Sequence, residues 1–560
     1  MGISPILAIF ALHYELETKI LRIHSKKITK LVATIAEKQL SSKAYYIAFC
    51  VALLPILLLR DFTPSNELRY LSIADEALRN STFFTFYNHG LPYADKPPLY
   101  FWWIMLGKWL FGTHQMWFLT LASMVPALIT TRVMERWVAP ETDEDTGKIA
   151  RMLLLTGGLF TGMVVTLRMD MLMCMFIVLS LRTFYTMSTS AAEIPKREGW
   201  LFPLYIFLAV FSKGPFGLLI PLLSTVVYLL ITGHIGEMGR YWGWRTWVVL
   251  VLLFVAWFGC VYAEGGMEYL NNLVFHQTID RAVDAFHHKE PFYYYGLSIW
   301  YSIAPWSLLL IPLMLVGAFK GGLKRDLERF FFVVFLTTFL LLSCVSSKLQ
   351  VYLLPAFPFV IYLGVLNLSR FSGQLWVRLL FIITATIFIS ALPLVCYFAL
   401  YNADTAFLDH ALIYFAAAIM TQGGVVALRN AFRAQGSIES GLCTLVYSVT
   451  CTIFLAGWAL PSINPWIGYG ALCQEAKKMA KEVGAEQYIA YGMHRPENMD
   501  AYLEQPIIIV EKEEVETIYA LPNAVVMMPA NYLEELGNVE AEVLGPYAII
   551  RSDELQQNNK

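Results

Sequence analysis

Long apolar runs separated by short polar breaks fill most of the chain. Each run is close to the length that crosses a bilayer as a helix. They predict spans at Ala44–Leu59, Met116–Thr131, Met152–Leu167, Met171–Tyr185, Leu201–Phe211, Phe216–Ile231 and Trp247–Val261. Further spans are predicted at Leu297–Val316, Phe330–Leu342, Val351–Leu366, Leu379–Ala399, Ala411–Val426 and Leu442–Leu460. Several fall short of the roughly 20 residues a crossing needs, so their ends must extend. Leu99–Phe111 is apolar and aromatic but short, and it carries Lys108. It reads as a helix lying in the interface. After Leu460 the pattern changes. Cys473–Val483 has helical spacing, whereas Gln487–Tyr491, Ile507–Val510, Val525–Met528 and Tyr547–Ile550 read as buried strands. The expected fold class is a polytopic α-helical membrane protein with about 13 spans and a small C-terminal extracytoplasmic α/β domain. The expected divisions are 1–43, a cytosolic or interfacial segment; 44–460, the membrane domain, with a first outer loop at 60–115; and 461–560, the α/β domain.

Composition agrees with the pattern. The chain of 560 residues is 57% hydrophobic and only 15% charged, against about 25% charge in soluble domains. A net charge of -2 argues against nucleic acid as a partner. The eight Cys are scattered, without a CxxC pair, and read as small buried hydrophobes.

Charge also orients the chain. With Leu99–Phe111 lying flat, one face receives the basic N-terminal segment, Arg132, Arg136, Lys148, Arg151, Arg240, Arg245 and Lys324, among others. By the positive-inside rule that face is cytosolic, which puts the C-terminal segment outside. The outer face then keeps few cations, and these stand out: Arg69, Arg79, Lys96, Arg168, Lys213, Arg281, Lys289 and Lys348. Acids share that side, including Glu67, Asp95 and Asp170, while the middles of the spans are almost free of charge. A transporter places its polar groups near mid-membrane. The distribution favours chemistry at the outer surface, on a lipid-linked phosphate.

Several short stretches carry that chemistry. Asn66-Glu67-Leu68-Arg69-Tyr70 should open a helix after Pro64, with Ser65 or Asn66 as N-cap. Tyr93-Ala94-Asp95-Lys96-Pro97-Pro98 sets a phenol and an ammonium before a stiff Pro-Pro corner that fixes where the ammonium points. Arg168-Met169-Asp170 sits between two spans, either as a structural ion pair or as a carboxylate at the base of an outward cavity. Lys213-Gly214-Pro215 reads mainly as a tight turn at a span end. The loop from Glu264 to Tyr295 carries His276, Arg281, His287 and His288. Arg281 suits a bidentate phosphate grip, and the His spacing fits no compact metal motif. Lys348 stands at an outer span end with Tyr352 one turn deeper.

In order, these motifs resemble those of the polyprenyl-phosphate-dependent sugar transferases of the membrane-embedded GT-C class. The nearest resemblance is to the lipid A aminoarabinose transferase (ArnT) group, kin to the protein O-mannosyltransferases. That family's Asp-Glu-x-Arg-Tyr motif falls on Asn66 to Tyr70, and its Tyr-x-x-Lys-Pro-Pro motif on Tyr93 to Pro98. Its second acidic position falls on Asp170, and its His and Arg five apart on His276 and Arg281. Its Lys-Leu-Pro-x-Tyr-x-Leu-Pro stretch corresponds to Lys348 to Pro355. Two departures stand out: Asn66 replaces the family Asp, and Gln350 replaces Pro.

The resemblance implies a GT-C fold and an inverting glycosyltransferase at the periplasmic face of the bacterial inner membrane. Its donor would be an undecaprenyl-phosphate sugar, its acceptor lipid A or another glycolipid, and no cofactor is implied. Lys96, Arg281, Tyr352, Lys348, Arg69 and Tyr70 would bind the donor phosphate. Tyr93 and His276 would bind substrate, and Asp170, Glu67 and Asn66 would form the catalytic group. Asn66 cannot take a proton, which tilts the acceptor toward an already ionised phosphate. The rival readings are a protein O-glycosyltransferase, a lipid or sugar transporter, and a non-catalytic scaffold.

Overall fold

The computed structural model describes residues 41–190, 195–274, 289–320, 322–433, 436–514, 516–521, 523–534, 536 and 541–554. The expected segment 1–43 lies almost wholly outside them.

The polytopic helical class holds. Among the described residues, eight helices are long and apolar enough to cross a membrane, or ten if two sharply bent pairs each count as one. The expectation of about 13 ran higher because apolar runs do not all become long helices. The run Met152–Leu167 breaks into Glu144–Leu155 and Gly158–Val165, bent by 64°. Phe216–Ile231 and Ser307–Phe319 stay short.

The described residues form two compact units. One joins the chain up to Ala52 with Ser369–Ala456. It is helical, built on Leu375–Ile389, Ala391–Tyr401, Ala411–Phe432 and nearly all of Ile438–Gly457. Tyr45 and Thr450 share a hydroxyl hydrogen bond inside it (3.4 Å).

The other unit takes Leu53–Leu368 and Gly457–Lys560 and holds every described candidate residue of the motifs. Residues 60–115, expected as a first outer loop, fall in this unit. A π-helical turn, Pro64–Leu68, leads into the helix Arg69–Asn80. Thr63 is the N-cap, in place of the expected Ser65 or Asn66, and its own oxygen accepts nothing from the turn. Glu67 does the capping from inside by reaching back to the Thr63 N–H (2.8 Å) and hydroxyl (3.0 Å). The helix stops at Ser81, which adopts a left-handed conformation (φ 55°). A hairpin follows, β1 (Tyr87–Asn88) with β2 (Leu91–Pro92), turned by His89 and Gly90 at φ 53° and 78°. Two positive φ values in a row make the tight turn whose twist suits a hairpin. The helix Leu99–Phe111 then forms with the bounds read from sequence, closed by Gly112 at φ 71°.

The C-terminal segment folds on a five-stranded sheet in the order β4-β3-β5-β7-β6. β3 (Gln487–Tyr491) runs parallel to β4 (Ile508–Val510) and β5 (Ala524–Pro529). β7 (Tyr547–Arg551) lies antiparallel to β5 and to β6 (Glu542–Leu544). Four strands match those expected; β6 is three residues long, largely exposed and at the edge, so its pattern was silent. Alternate residues of β5 point to two cores. Val526 and Met528 pack with Ile489 and Ile550. Val525 and Met527 join the helix Gly470–Val483 and a core that continues through Tyr70, Phe86 and Phe101 of the first loop. Asp61 ties the same layers together: it accepts from the N–H groups of Phe62 (2.8 Å) and Gly470 (2.7 Å) and from the Tyr502 hydroxyl.

Candidate functional site

Asp170 is the first residue of the helix Asp170–Ser188, where the N-terminal end of the helix dipole favours a negative charge. It is fully buried and held by two cations. Arg168 Nε donates to Oδ2 at 3.1 Å, and the Lys213 ammonium contacts Oδ1. Arg168 sits in the turn ahead of that helix. Its burial disfavours the charge, but the Asp170 carboxylate outweighs that and holds its guanidinium above the usual range.

Lys213 reaches Asp170 because of its turn. Gly214 has φ 123°, open to glycine, and its N–H closes on Val210 O (2.8 Å). Three residues on, a Cβ at Gly217 would come within 2.4 Å of the Ala209 and Val210 backbone. The two helices therefore meet closely and bring the Lys213 ammonium 4.3 Å from the centre of the Tyr352 ring. Lys96 lies within electrostatic reach of Lys213, and Tyr352 within reach of Arg168. Tyr70 is buried, packs edge-on against Tyr100 and Phe101, and feels Arg168, Arg69, Asp170 and Asp95. Burial pushes its phenol up, so it stays a neutral hydrogen-bonding group.

A second cluster adjoins this one along the chain. Arg69 Nη2 donates to Asn66 Oδ1 (3.0 Å), and its guanidinium lies 5.7 Å from the Tyr93 ring and 5.8 Å from the Tyr70 ring. Thus the structure brings together Asn66, Arg69, Tyr70 and Tyr93, and separately Asp170, Arg168, Lys213 and Tyr352 with Lys96 in reach of Lys213, and Tyr70 belongs to both.

Glu67 differs from what its motif implied. Arg60 grips it with both terminal nitrogens, each at 2.7 Å. Thr63 gives two more bonds, and the Leu167 N–H a fifth at 2.8 Å. Burial would raise this carboxyl, but the Arg60 pair and the backbone donors hold it below the ordinary range. These five bonds occupy both oxygens of a carboxylate that the motif implied to be catalytic. Arg60 also donates to Val165 O (3.0 Å). The pair therefore clamps Val165 and Leu167, the stretch that aims Arg168 and Asp170.

Lys348, expected at the phosphate, is buried and donates to Glu290 O at 2.8 Å. Beside it Lys289 and Ser347 form a β-bridge. Lys348 clips two segments together, a role its place at a span end did not foretell. His276 and Arg281 lie outside the described residues, as do His287 and His288. Among the described residues no three His, Cys, Asp or Glu side chains converge as metal ligands do.

Sequence reasoning undervalued Lys213 and passed over Arg60. The signal was available: Arg60 ends an apolar run with no second cation near it, and Lys213 is the single charge between two spans. Such charges need partners.

Over part of its length the chain is similar to known proteins. A family profile described as dolichyl-phosphate-mannose-protein mannosyltransferase matches residues 95–258. The chain is 28% identical over 320 residues to a protein of Aquifex aeolicus (strain VF5) described as uncharacterised, covering 55% of this chain and 62% of that one. It is 25% identical over 311 residues to the undecaprenyl phosphate-alpha-4-amino-4-deoxy-L-arabinose arabinosyl transferase of Erwinia tasmaniensis, covering 55% of each. The match thus spans little more than half the length of these relatives. The crystal structure of ArnT from Cupriavidus metallidurans bound to undecaprenyl phosphate superposes with a TM-score of 0.72 at 19% identity, over 91% of this chain and 98% of that one. At that identity the likeness shows the fold. The ArnT-like, GT-C resemblance read from the ordered motifs is matched by all three comparisons, and the chain is a multi-pass membrane protein with that fold.

Proposed function

We propose that this chain is an inverting glycosyltransferase that moves a sugar from an undecaprenyl-type phosphate to an ionised acceptor on a lipid A-like glycolipid. The reaction takes place at the periplasmic face of the inner membrane, with the N-terminus cytosolic. One observation carries the reading: Asp170, Arg168, Lys213 and Tyr352 converge where spans meet without a loop, with Lys96 within electrostatic reach of Lys213. The names of the relatives and of the superposed ArnT supply the donor class.

In the reaction, the bond between the anomeric carbon and the phosphate oxygen breaks, and its electron pair leaves with the phosphate. Cations already in place neutralise that growing charge without reorganising, which is where fixed electrostatics are worth most. Lys96 and Lys213 supply the charge and Tyr352 a hydroxyl, with Arg281 as a further grip from the later loop. Asp170 holds Arg168 and Lys213 apart and aimed. An acceptor oxygen gives its electron pair to the opposite face of the sugar carbon.

Acceptor chemistry follows from what is missing. Asn66 takes no proton, and Glu67 is saturated. Protonating Asp170 would strand two buried cations beside it. An acceptor that arrives as a phosphate anion needs no base. Arg69, over Tyr70 and Tyr93 and bonded to Asn66, supplies positive charge for it.

The test is transfer from labelled undecaprenyl-phosphate sugars in proteoliposomes, with products split into lipid and protein fractions. Label moving to phosphorylated glycolipid in the wild type and not in Lys96→Ala supports the reading. Label on polypeptide would shift the acceptor to protein, which the mannosyltransferase profile favours. No transfer by folded protein would sink it.

A further inference from the structure

Lys96 is useful only if the loop before it stands still, and the far end of a different helix supplies the anchor. Trp244–Asn271 continues past its apolar run Trp247–Val261 and breaks at Gly266 (φ 71°, ψ -173°), a conformation that glycine alone adopts without strain. On one side of the break, Glu264 accepts from three successive backbone N–H groups: Phe83 (2.7 Å), Phe84 (2.7 Å) and Thr85 (2.5 Å). The Thr85 hydroxyl adds a fourth bond at 2.9 Å. Consecutive N–H groups curled around one anion form a nest, and charge-assisted bonds of this kind are about twice as strong as neutral ones. On the other side of the break, the Tyr269 hydroxyl accepts from Phe86 N (2.9 Å) and donates to Tyr93 O (2.9 Å). One oxygen therefore closes both feet of the β1–β2 hairpin, where Tyr93 N also bonds Phe86 O (2.8 Å). Gly265 lets the loop come near, since a Cβ there would lie 2.6 Å from the Thr85 methyl. Trp102, just past the Pro-Pro corner, holds Phe83 O from the opposite side (2.6 Å).

We propose that Glu264 and Tyr269 are positioning residues for Lys96. They fix the chain from Phe83 to Tyr93 so that the Pro97-Pro98 corner presents the Lys96 ammonium to a lipid-linked phosphate. Glu264 opens and Tyr269 lies within the stretch read above for its His and Arg, but neither was a candidate there, and both act through the loop they hold. The inference rests on the phosphate role proposed for Lys96.

The experiment is a binding cycle with undecaprenyl phosphate on the purified full chain in nanodiscs. Tyr269→Phe and Glu264→Gln are measured alone and each combined with Lys96→Ala, with unfolding midpoints recorded for every variant. Tyr269→Phe removes one oxygen, and Gly265→Ala keeps every polar group while pushing the loop off the helix. These two carry the test if Glu264→Gln does not fold. Each single variant is expected to weaken binding between about tenfold and a hundredfold, the worth of one well-aimed hydrogen bond to a charged group. In the Lys96→Ala background the same changes should cost nothing more. Additive losses, or no loss in folded single variants, overturn the inference and leave the role of Lys96 standing. If Lys96→Ala itself binds like the wild type, the phosphate role falls and the inference with it.

Discussion

Two buried carboxylates in this protein are wholly shielded from water, yet their surroundings have little in common. Glu67 is enclosed by a bidentate arginine, a threonine and a backbone N–H, with five bonds to two oxygens. Asp170 is held by two side-chain cations that extend toward Tyr352 and Lys96. The first pattern satisfies every lone pair with rigid partners and fixes the backbone at Val165 and Leu167. The second concentrates positive charge around a single acid and leaves it beside phenols. Burial alone does not mark a catalytic carboxylate. What separates the two is whether the partners are backbone and brace or cations with further work to do.

The largest effect should come from the second group. Lys213→Ala is expected to slow transfer by about 10²–10³-fold, the usual cost of one pre-aimed charge-stabilising donor. A kcat that falls with little change in unfolding midpoint checks it. The brace should show the opposite bias. Arg60→Met leaves a buried Glu67 unpaired and is expected to cost about 3–5 kcal/mol of stability, read from denaturant unfolding.

Asn66→Asp sharpens the acceptor side of the comparison. If a base were needed, restoring the family carboxylate would raise transfer by about 10² or more. With an ionised acceptor the expected gain is nil, measured as initial rates on a phosphorylated glycolipid.

The smallest effect is a pH dependence at the hairpin. His89 contacts Asp500 (3.3 Å) and Ser72 (3.4 Å), with Glu76 and Glu497 facing it. The hydrogen bond to Asp500 raises its pKa above the ordinary value near 6.5, against a smaller burial effect. Stability from this contact is full below about pH 6.5 and is lost as pH climbs through the raised value. The midpoint difference between wild type and His89→Gln should shrink across that window. A difference that grows with pH would refute the assignment.

Much of this was legible in the chain itself. Leu99–Phe111 and Gln487–Tyr491 formed with the bounds their periodicity implied, because amphipathic and apolar patterns report local structure directly. The ordered motifs likewise led to the right fold. What stayed hidden depends on distant partners. Lys213 looked like a span end because its acid lies 43 residues away, and the clamp on Phe83–Thr85 crosses about 180 residues to Glu264. The break within Met152–Leu167 was hidden because apolar content continues through Gly157 and Gly158. The π-helical turn at Pro64–Leu68 depends on Glu67 folding back on Thr63, which no spacing rule encodes.

The most direct test sets the two carboxylates side by side. Single-turnover transfer from a labelled undecaprenyl-phosphate sugar would be followed for wild type, Asp170→Asn and Glu67→Gln, at a temperature where all three are folded. The account predicts that Asp170→Asn loses about 10²–10³-fold while Glu67→Gln, though less stable, stays within about tenfold of wild type. Equal losses, or a greater loss in Glu67→Gln, would contradict it.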